Sequence, residues 1–213
     1  MGKTITAVIL AGGKGERLRP LTDTLPKPMV KIANKPLLEY VVRHLRRYDI
    51  KEIILSVGYL PEVIKKHFGN GKKFGVHISY IIENIPLGTA GAVRLLKNKI
   101  KDTFLVCYGD ILRDINLKDL VKFHQNRKGI AVICVYKNTK PNPKSIITFD
   151  KDKKISRFIE RPSNQSKKWV WSNASLYLFE PEIFAYIAKN TRVDFGKNVI
   201  PKVIADGKRV YAF

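Results

Sequence analysis

The sequence is short of acid. Against 40 lysines and arginines it sets 18 aspartates and glutamates, which leaves a formal charge of +22 at pH 7. Such a balance favours anionic partners, from small phosphates to nucleic acid. The bases are scattered, however, as Arg46–Arg47, Lys65–Lys66, Lys72–Lys73, the runs Lys97, Lys99, Lys101 and Lys151, Lys153, Lys154, and Lys167–Lys168. Few aromatic residues interleave with them as stacking platforms. Nucleic acid is therefore not expected as the main partner, and small anionic substrates are. Cysteine is scarce: Cys107 and Cys134 both lie in apolar runs, where free thiols behave as small hydrophobes rather than as a disulfide framework. No apolar run approaches the length of a bilayer span. The start, MGKTITAVIL, carries no signal-peptide cleavage pattern, and its MG lacks the Ser or Thr of a myristoylation signal. A cytoplasmic protein without membrane association is expected. The histidines (His44, His67, His77 and His124) share no metal-ligand spacing and are expected on the surface or in packing.

What is present is an alternation. Apolar runs at 5–11, 52–58, 76–82, 103–110 and 130–136 read as strands. Between them lie helical patterns at 35–49, 61–68, 88–99 and 117–127. In the first of these Leu37, Leu38, Val41, Val42 and Leu45 share a face, and Pro36 suits the first turn. Near-continuous apolar strands alternating with helices predict an α/β fold: a Rossmann-like, mainly parallel twisted sheet with helices on both faces. After residue 137 the rhythm changes. SIITFD, KISRFIE and WSNASLYLF read as an added antiparallel subregion, followed by helical patterns in PEIFAYIAK and KNVIPKVIADG and a last strand, VYAF. A single domain over 1–213 is expected, with halves at about 1–137 and 138–213.

Ligands of such sheets bind at the carboxyl ends of strands near the point where strand order reverses. The stretch AGGKGERLRPLTDTLPKP (11–28) falls there, and so does Asp110. Gly12, Gly13 and Gly15 let backbone amides approach a phosphate closely. Two familiar glycine-rich motifs are excluded by spacing. The pattern GxxxxGKS/T is absent, and in GxGxxG the third glycine is replaced by Leu18. Arg17, a planar fork, and Lys27, a point charge between Pro26 and Pro28, complete a candidate phosphate site. A rigid surface loop with solvated charges is the other reading of the same residues.

The longer stretch LAGGKGERLRPLTDTLPKPMVKIANKPLLEY resembles the signature of the sugar-1-phosphate nucleotidylyltransferases, the NDP-sugar pyrophosphorylases. Further similarities follow in the family's order: PLGTAGA (86–92), YGD (108–110), FIERP (158–162), NASLYLF (173–179) and DFGKNVIPKVI (194–204). The resemblance implies the nucleotide-diphospho-sugar transferase fold. It also implies a reaction in which an NTP and a sugar 1-phosphate give an NDP-sugar and pyrophosphate. By it, Leu10, Ala11, Gly12 and Gly13 border base and ribose, and the loop amides, Gly15 among them, approach the triphosphate. Arg17 stabilises the phosphates and the departing pyrophosphate, and Lys27 bridges the α-phosphate and the sugar phosphate. Glu83, Gly88 and Thr89 read the base, and Asp110 holds Mg²⁺. Glu160 bonds sugar hydroxyls, Arg161 faces the sugar phosphate and Asn173 lines the sugar pocket. Asp194 is expected to cap the helix after it. The resemblance leans towards GTP with mannose 1-phosphate, then TTP or UTP with glucose 1-phosphate, and towards a homo-oligomer.

Departures from the family pattern mark the sugar side. Arg161 stands where the family has lysine, and Ser145 and Ser175 stand where it has glycine, which narrows the pocket or changes its hydrogen bonding. The family's W-x-D-I/V-G-T segment, with a second metal aspartate, follows the strand that VYAF matches; the sequence ends at Phe213, before it. These departures support a second reading as a non-catalytic nucleotide- or sugar-phosphate-binding regulator. The charge supports a third, a nucleic-acid-binding protein.

Overall fold

The computed structural model describes residues 5–140, 142–163 and 169–213. The MG start and the Lys167–Lys168 pair lie outside the described residues. In chain order the strands and helices are β1 (Thr6–Leu10), β2 (Lys31–Ile32), β3 (Lys35–Pro36), α1 (Leu37–Arg47), β4 (Glu52–Val57), α2 (Pro61–Phe68), β5 (His77–Ile82), α3 (Gly88–Arg94), β6 (Phe104–Tyr108), α4 (Leu117–Arg127), β7 (Ala131–Asn138), β8 (Ser145–Phe149), β9 (Ile155–Glu160), β10 (Val170–Phe179), α5 (Ile200–Ala205) and β11 (Val210–Ala212).

The main sheet runs β11-β7-β10-β6-β1-β4-β5, with β8 paired to β10 and β9 to β8. Strands β6, β1, β4 and β5 are mutually parallel, as are β7 and β11. The antiparallel addition is not a flap at one edge. β10 enters the middle of the sheet, antiparallel to β6 on one side and to β7 on the other. Period-two alternation divides the core. On β1, Ala7 and Ile9 face one layer with Leu38 and Val42 of α1, Ile64 of α2 and Leu120 of α4. Val8 faces the other, with Val93 of α3, Tyr177 of β10 and Val203 of α5. Helices thus cover both faces, and each fully buried aliphatic side chain contributes about 1.5–3 kcal/mol. No helix among the described residues is long and apolar enough to cross a membrane.

Several local expectations need correction. Pro36 precedes α1 at its N-cap position instead of occupying its first turn. α3 ends at Arg94, and the chain tightens beyond it: the amides of Leu96, Lys97 and Lys99 reach carbonyls only three residues back, at Val93, Arg94 and Leu96. The pattern in PEIFAYIAK forms a 3₁₀ segment, Pro181–Tyr186, closed by Ile183 N–H to the Glu180 carbonyl. KNVIPKVIADG starts as a wide π-type turn (Phe195–Val199) before α5, ahead of Pro201, which has no N–H to give. β6 stops at Tyr108, so Asp110 lies in the turn beyond it.

β1 is the switch point: β4 and β5 extend the sheet on one side, and β6 returns to the other. The carboxyl ends of β1 and β6 therefore open the crevice where the chemistry-bearing residues gather.

Candidate functional site

The loop after β1 starts by continuing the sheet, with Ala11 N–H donating to the Ser56 carbonyl at 2.8 Å. It then runs close against its neighbours at Gly12 and Gly15 and lies open at Gly13. A Cβ on Gly12 would lie 3.0 Å from Glu83 Oε1 and 3.3 Å from the Gly58 nitrogen. Glu83 is held there by Ser56, whose hydroxyl donates to Oε1 at 2.7 Å. At Gly13 a Cβ would meet nothing within 4 Å, so open space flanks that amide. Gly15 carries the strongest demand: its φ is +69°, and a Cβ would sit 2.8 Å from the Lys27 Cβ. The Thr22 hydroxyl donates to the Gly15 carbonyl at 2.9 Å, and Tyr59 at the mouth of α2 donates to the carbonyls of Thr22 (3.1 Å) and Asp23 (2.7 Å). Arg17 projects from a single exposed turn, Glu16–Leu18.

The far end of the loop is anchored by buried Pro28 and Met29. From this anchored turn the Lys27 ammonium crosses the crevice and pairs with Asp110 Oδ2. Both side chains remain partly open, at 32% and 21% exposed.

Gly88 and Thr89 open α3. They tie α3 to the segment 193–195, where the two halves of the chain meet. A Cβ on Gly88, whose φ is +75°, would strike the Val193 carbonyl at 2.6 Å. Thr89 donates from both N–H and hydroxyl to Asp194 Oδ1, each at 3.3 Å, and its hydroxyl accepts from Phe195 N–H at 2.9 Å. The Asp194 side chain therefore serves Thr89 and makes no side-chain cap on the helix that follows.

Across the crevice a polar cluster surrounds two tyrosines. Asn173 Nδ2 donates to the Tyr177 hydroxyl at 2.6 Å, and the Tyr108 hydroxyl lies beside Thr89 and Tyr177. Burial pushes the Tyr108 phenol up to about 12 and Tyr177 well above its ordinary range, so both stay protonated and neutral. Glu160 points at Gly196, where a Cβ would meet its Oε2 at 2.5 Å. Burial, aided by the charge of Asp194 and opposed by Arg161, raises the Glu160 carboxyl. Ser145 is buried, and its hydroxyl accepts from Asn173 N–H at 2.9 Å. That hydroxyl holds β10 to β8 and so shapes the wall behind Asn173. Ser175 adopts φ +56°, and its N–H donates to Asn173 Oδ1 at 2.9 Å. Arg161 also has positive φ, and its N–H donates to the Lys144 carbonyl at 2.8 Å.

The nucleotidyl transferase family model matches residues 6–213. The chain belongs to that family. A UTP–glucose-1-phosphate uridylyltransferase from Synechocystis sp. is 36% identical over 97% of this chain and 57% of its own length. A mannose-1-phosphate guanylyltransferase from Mycobacterium tuberculosis is 31% identical over 98% of this chain and 58% of its own. The chain thus spans a little over half the length of these curated relatives. Among solved structures, HddC from Yersinia pseudotuberculosis superimposes with a TM-score of 0.83 at 26% identity, over 98% of this chain and 89% of that one. A putative glucose-1-phosphate thymidylyltransferase from Bacillus anthracis gives a TM-score of 0.85 over 98% of this chain and 86% of that one; at 23% identity it speaks to the fold alone. That fold is the nucleotide-diphospho-sugar transferase fold.

The structure of this nucleotidyl transferase family member also adds residues that sequence reasoning passed over. Ser56 and Tyr59 fix Glu83 and the loop, and Tyr108 and Tyr177 lie in the polar cluster around Asn173. Arg113 grips the bulge of β10, with Nε donating to the Ala174 carbonyl and Nη2 to the Ser175 carbonyl, both at 2.7 Å. Each sits in a run that reads as strand or turn filler.

Proposed function

We propose that this chain carries out nucleotidyl transfer from an NTP to a sugar 1-phosphate, giving an NDP-sugar and pyrophosphate. The pairing of Lys27 with Asp110 across the carboxyl ends of β1 and β6, with Gly15 packed beneath Lys27, carries the reading. An oxygen of the sugar phosphate attacks the α-phosphorus in line, a new P–O bond forms, and the α–β bridging oxygen leaves with pyrophosphate. Such a reaction needs positioning and fixed charge more than a covalent nucleophile. Loop amides from Gly12 to Gly15 approach the phosphates, and Arg17, free to swing in from the surface, neutralises the departing pyrophosphate. Lys27 turns from Asp110 to the α-phosphate and the incoming sugar phosphate.

A divalent cation, with Mg²⁺ the natural choice, supplies further charge neutralisation when bound. The donor set suits it: a half-open carboxylate at Asp110 serves a small hard ion that takes one or two carboxylates and completes its shell with phosphates and water. Glu83, at the foot of Gly12, faces the base and ribose beside Leu10 and Ala11. Gly88 and Thr89 hold the seam from which that wall is built. Glu160 bonds sugar hydroxyls, Arg161 faces the sugar phosphate, and Asn173, Ser145 and Ser175 form the far wall. Nucleotide handling thus falls mainly to residues 1–137 and sugar handling to 138–213. We favour GTP with mannose 1-phosphate, then UTP or TTP with glucose 1-phosphate, as the relatives' names support, and a cytoplasmic site of action.

The test is pyrophosphate release with Mg²⁺ across a panel of NTPs and sugar 1-phosphates. Release matched by NDP-sugar from at least one pair is expected. NTP binding by calorimetry with no release from any pair would overturn transfer in favour of a binding regulator.

A further inference from the structure

β10 must change register in the middle of the sheet. Between Asn173 and Tyr177 it advances four residues while β7 moves from Val135 to Ile133, so the intervening carbonyls lose their place in the ladder. An orphaned backbone carbonyl in a half-buried bulge is costly unless a donor reaches it. Arg113 supplies the donors. Its Nε and Nη2 bond the Ala174 and Ser175 carbonyls at 2.7 Å, and its Nη1 bonds the Ile111 carbonyl at 3.0 Å and the Tyr108 carbonyl at 3.5 Å. One planar guanidinium therefore spans two pieces of backbone. One is the turn that carries Asp110, and the other is the bulge that carries Asn173. The bulge also holds strain, because Ser175 sits at φ +56° where glycine would sit freely.

We propose that Arg113 is a positioning residue for the sugar phosphate. It clamps the β10 bulge to the turn after β6, so that Asn173 and its tyrosine partner keep a fixed relation to Lys27 and Asp110. The proposal rests on the nucleotidyl-transfer reading for its kinetic consequence but not for its structural one. Arg113 touches no candidate substrate atom; it acts through the backbone it holds. The nucleotide side, built on the Gly12–Gly15 loop and Tyr59, shares none of these bonds.

The experiment compares the wild type with Arg113→Met, Arg113→Lys and Arg113→Met/Ser175→Gly. In Arg113→Met, KM for the sugar 1-phosphate is expected to rise roughly tenfold or more, while NTP affinity by calorimetry stays within about twofold. The added Ser175→Gly is expected to recover most of the loss, since glycine holds the left-handed bulge without the clamp. Arg113→Lys, which keeps the charge and loses the fork, is expected to fall between and guards against a misfolded methionine variant. Hydrogen exchange supplies a readout independent of turnover. Protection should drop at 108–115 and 172–177 and hold elsewhere in Arg113→Met. Unchanged sugar-phosphate KM, equal loss of NTP and sugar-phosphate binding, or no rescue by Ser175→Gly would overturn the proposal. If the wild type itself turns over no substrate pair, the transfer reading fails, and the exchange pattern alone decides whether Arg113 is the clamp.

Discussion

The two walls of the crevice are built by opposite means. The wall we assign to the nucleotide is shaped by what side chains leave out. Gly12 passes Glu83 and Gly58 at distances that would leave a methyl tightly packed, and Gly15 lies against Lys27 with a backbone that favours glycine. The wall we assign to the sugar is shaped by what side chains reach across: Asn173 to Tyr177, Ser145 to Asn173, and Arg113 to a bulge. Its left-handed positions are held by serine and arginine, not glycine. A wall made by close approach fails by clash. One made of hydrogen bonds fails by lost satisfaction, and its parts depend on one another.

The largest effect is expected at the point where the two walls meet. Lys27→Met removes the positioned charge and should lower kcat by about 10²–10³-fold, measured as pyrophosphate release under saturating substrates. Gly15→Ala should come next. It adds about 1–2 kcal/mol of left-handed strain and pushes on the Lys27 stem, with a loss of up to about 10²-fold in kcat. A rate for Gly15→Ala equal to wild type would remove close approach as the principle of the nucleotide wall.

That contrast also explains what could be read from the residues alone. Close approach announces itself, because glycines cluster in AGGKG, and prolines on either side of Lys27 mark a fixed turn. Buried parallel strands announce themselves likewise, as the near-continuous apolar runs of β1, β4 and β6. Lys27 and Asp110 were both legible as chemistry although 83 residues apart. Hydrogen bonds over long separations leave no local trace. The Thr89–Asp194 link spans 105 residues, and Thr89 in GTAGAV reads as the start of a helix. Arg113, in GDILRDIN, reads as one more base on a basic chain. The position of β10 was hidden for a similar reason: a strand opening with WSN reads as a half-polar edge, whereas its Leu176–Phe179 end is buried between β6 and β7.

Smaller effects are expected at the seam that Thr89 ties and at Glu160. Thr89→Val keeps shape but leaves Phe195 N–H without its acceptor and Asp194 with one donor fewer. It should destabilise the fold by about 1–3 kcal/mol in chemical denaturation. The subtlest prediction concerns pH. Burial raises the folded-state pKa of Glu160 above its ordinary value of 4.5. Its favourable contribution to stability is therefore present below that value and is lost as pH rises through the folded pKa. Glu160→Gln should accordingly be more stable than wild type at neutral pH, with the gap closing on acidification, while sugar-phosphate use declines. A gap independent of pH would show that the carboxyl is not held in a desolvating site.

The central claim is that the glycine loop delivers Lys27 to Asp110 so that the two act as one centre for nucleotidyl transfer. A double-mutant cycle of single-turnover rates across wild type, Lys27→Met, Asp110→Asn and the double variant tests it most directly. The account predicts strong non-additivity, with the double variant scarcely slower than the worse single one. Losses that simply add, or single variants that transfer at the wild-type rate, would contradict it.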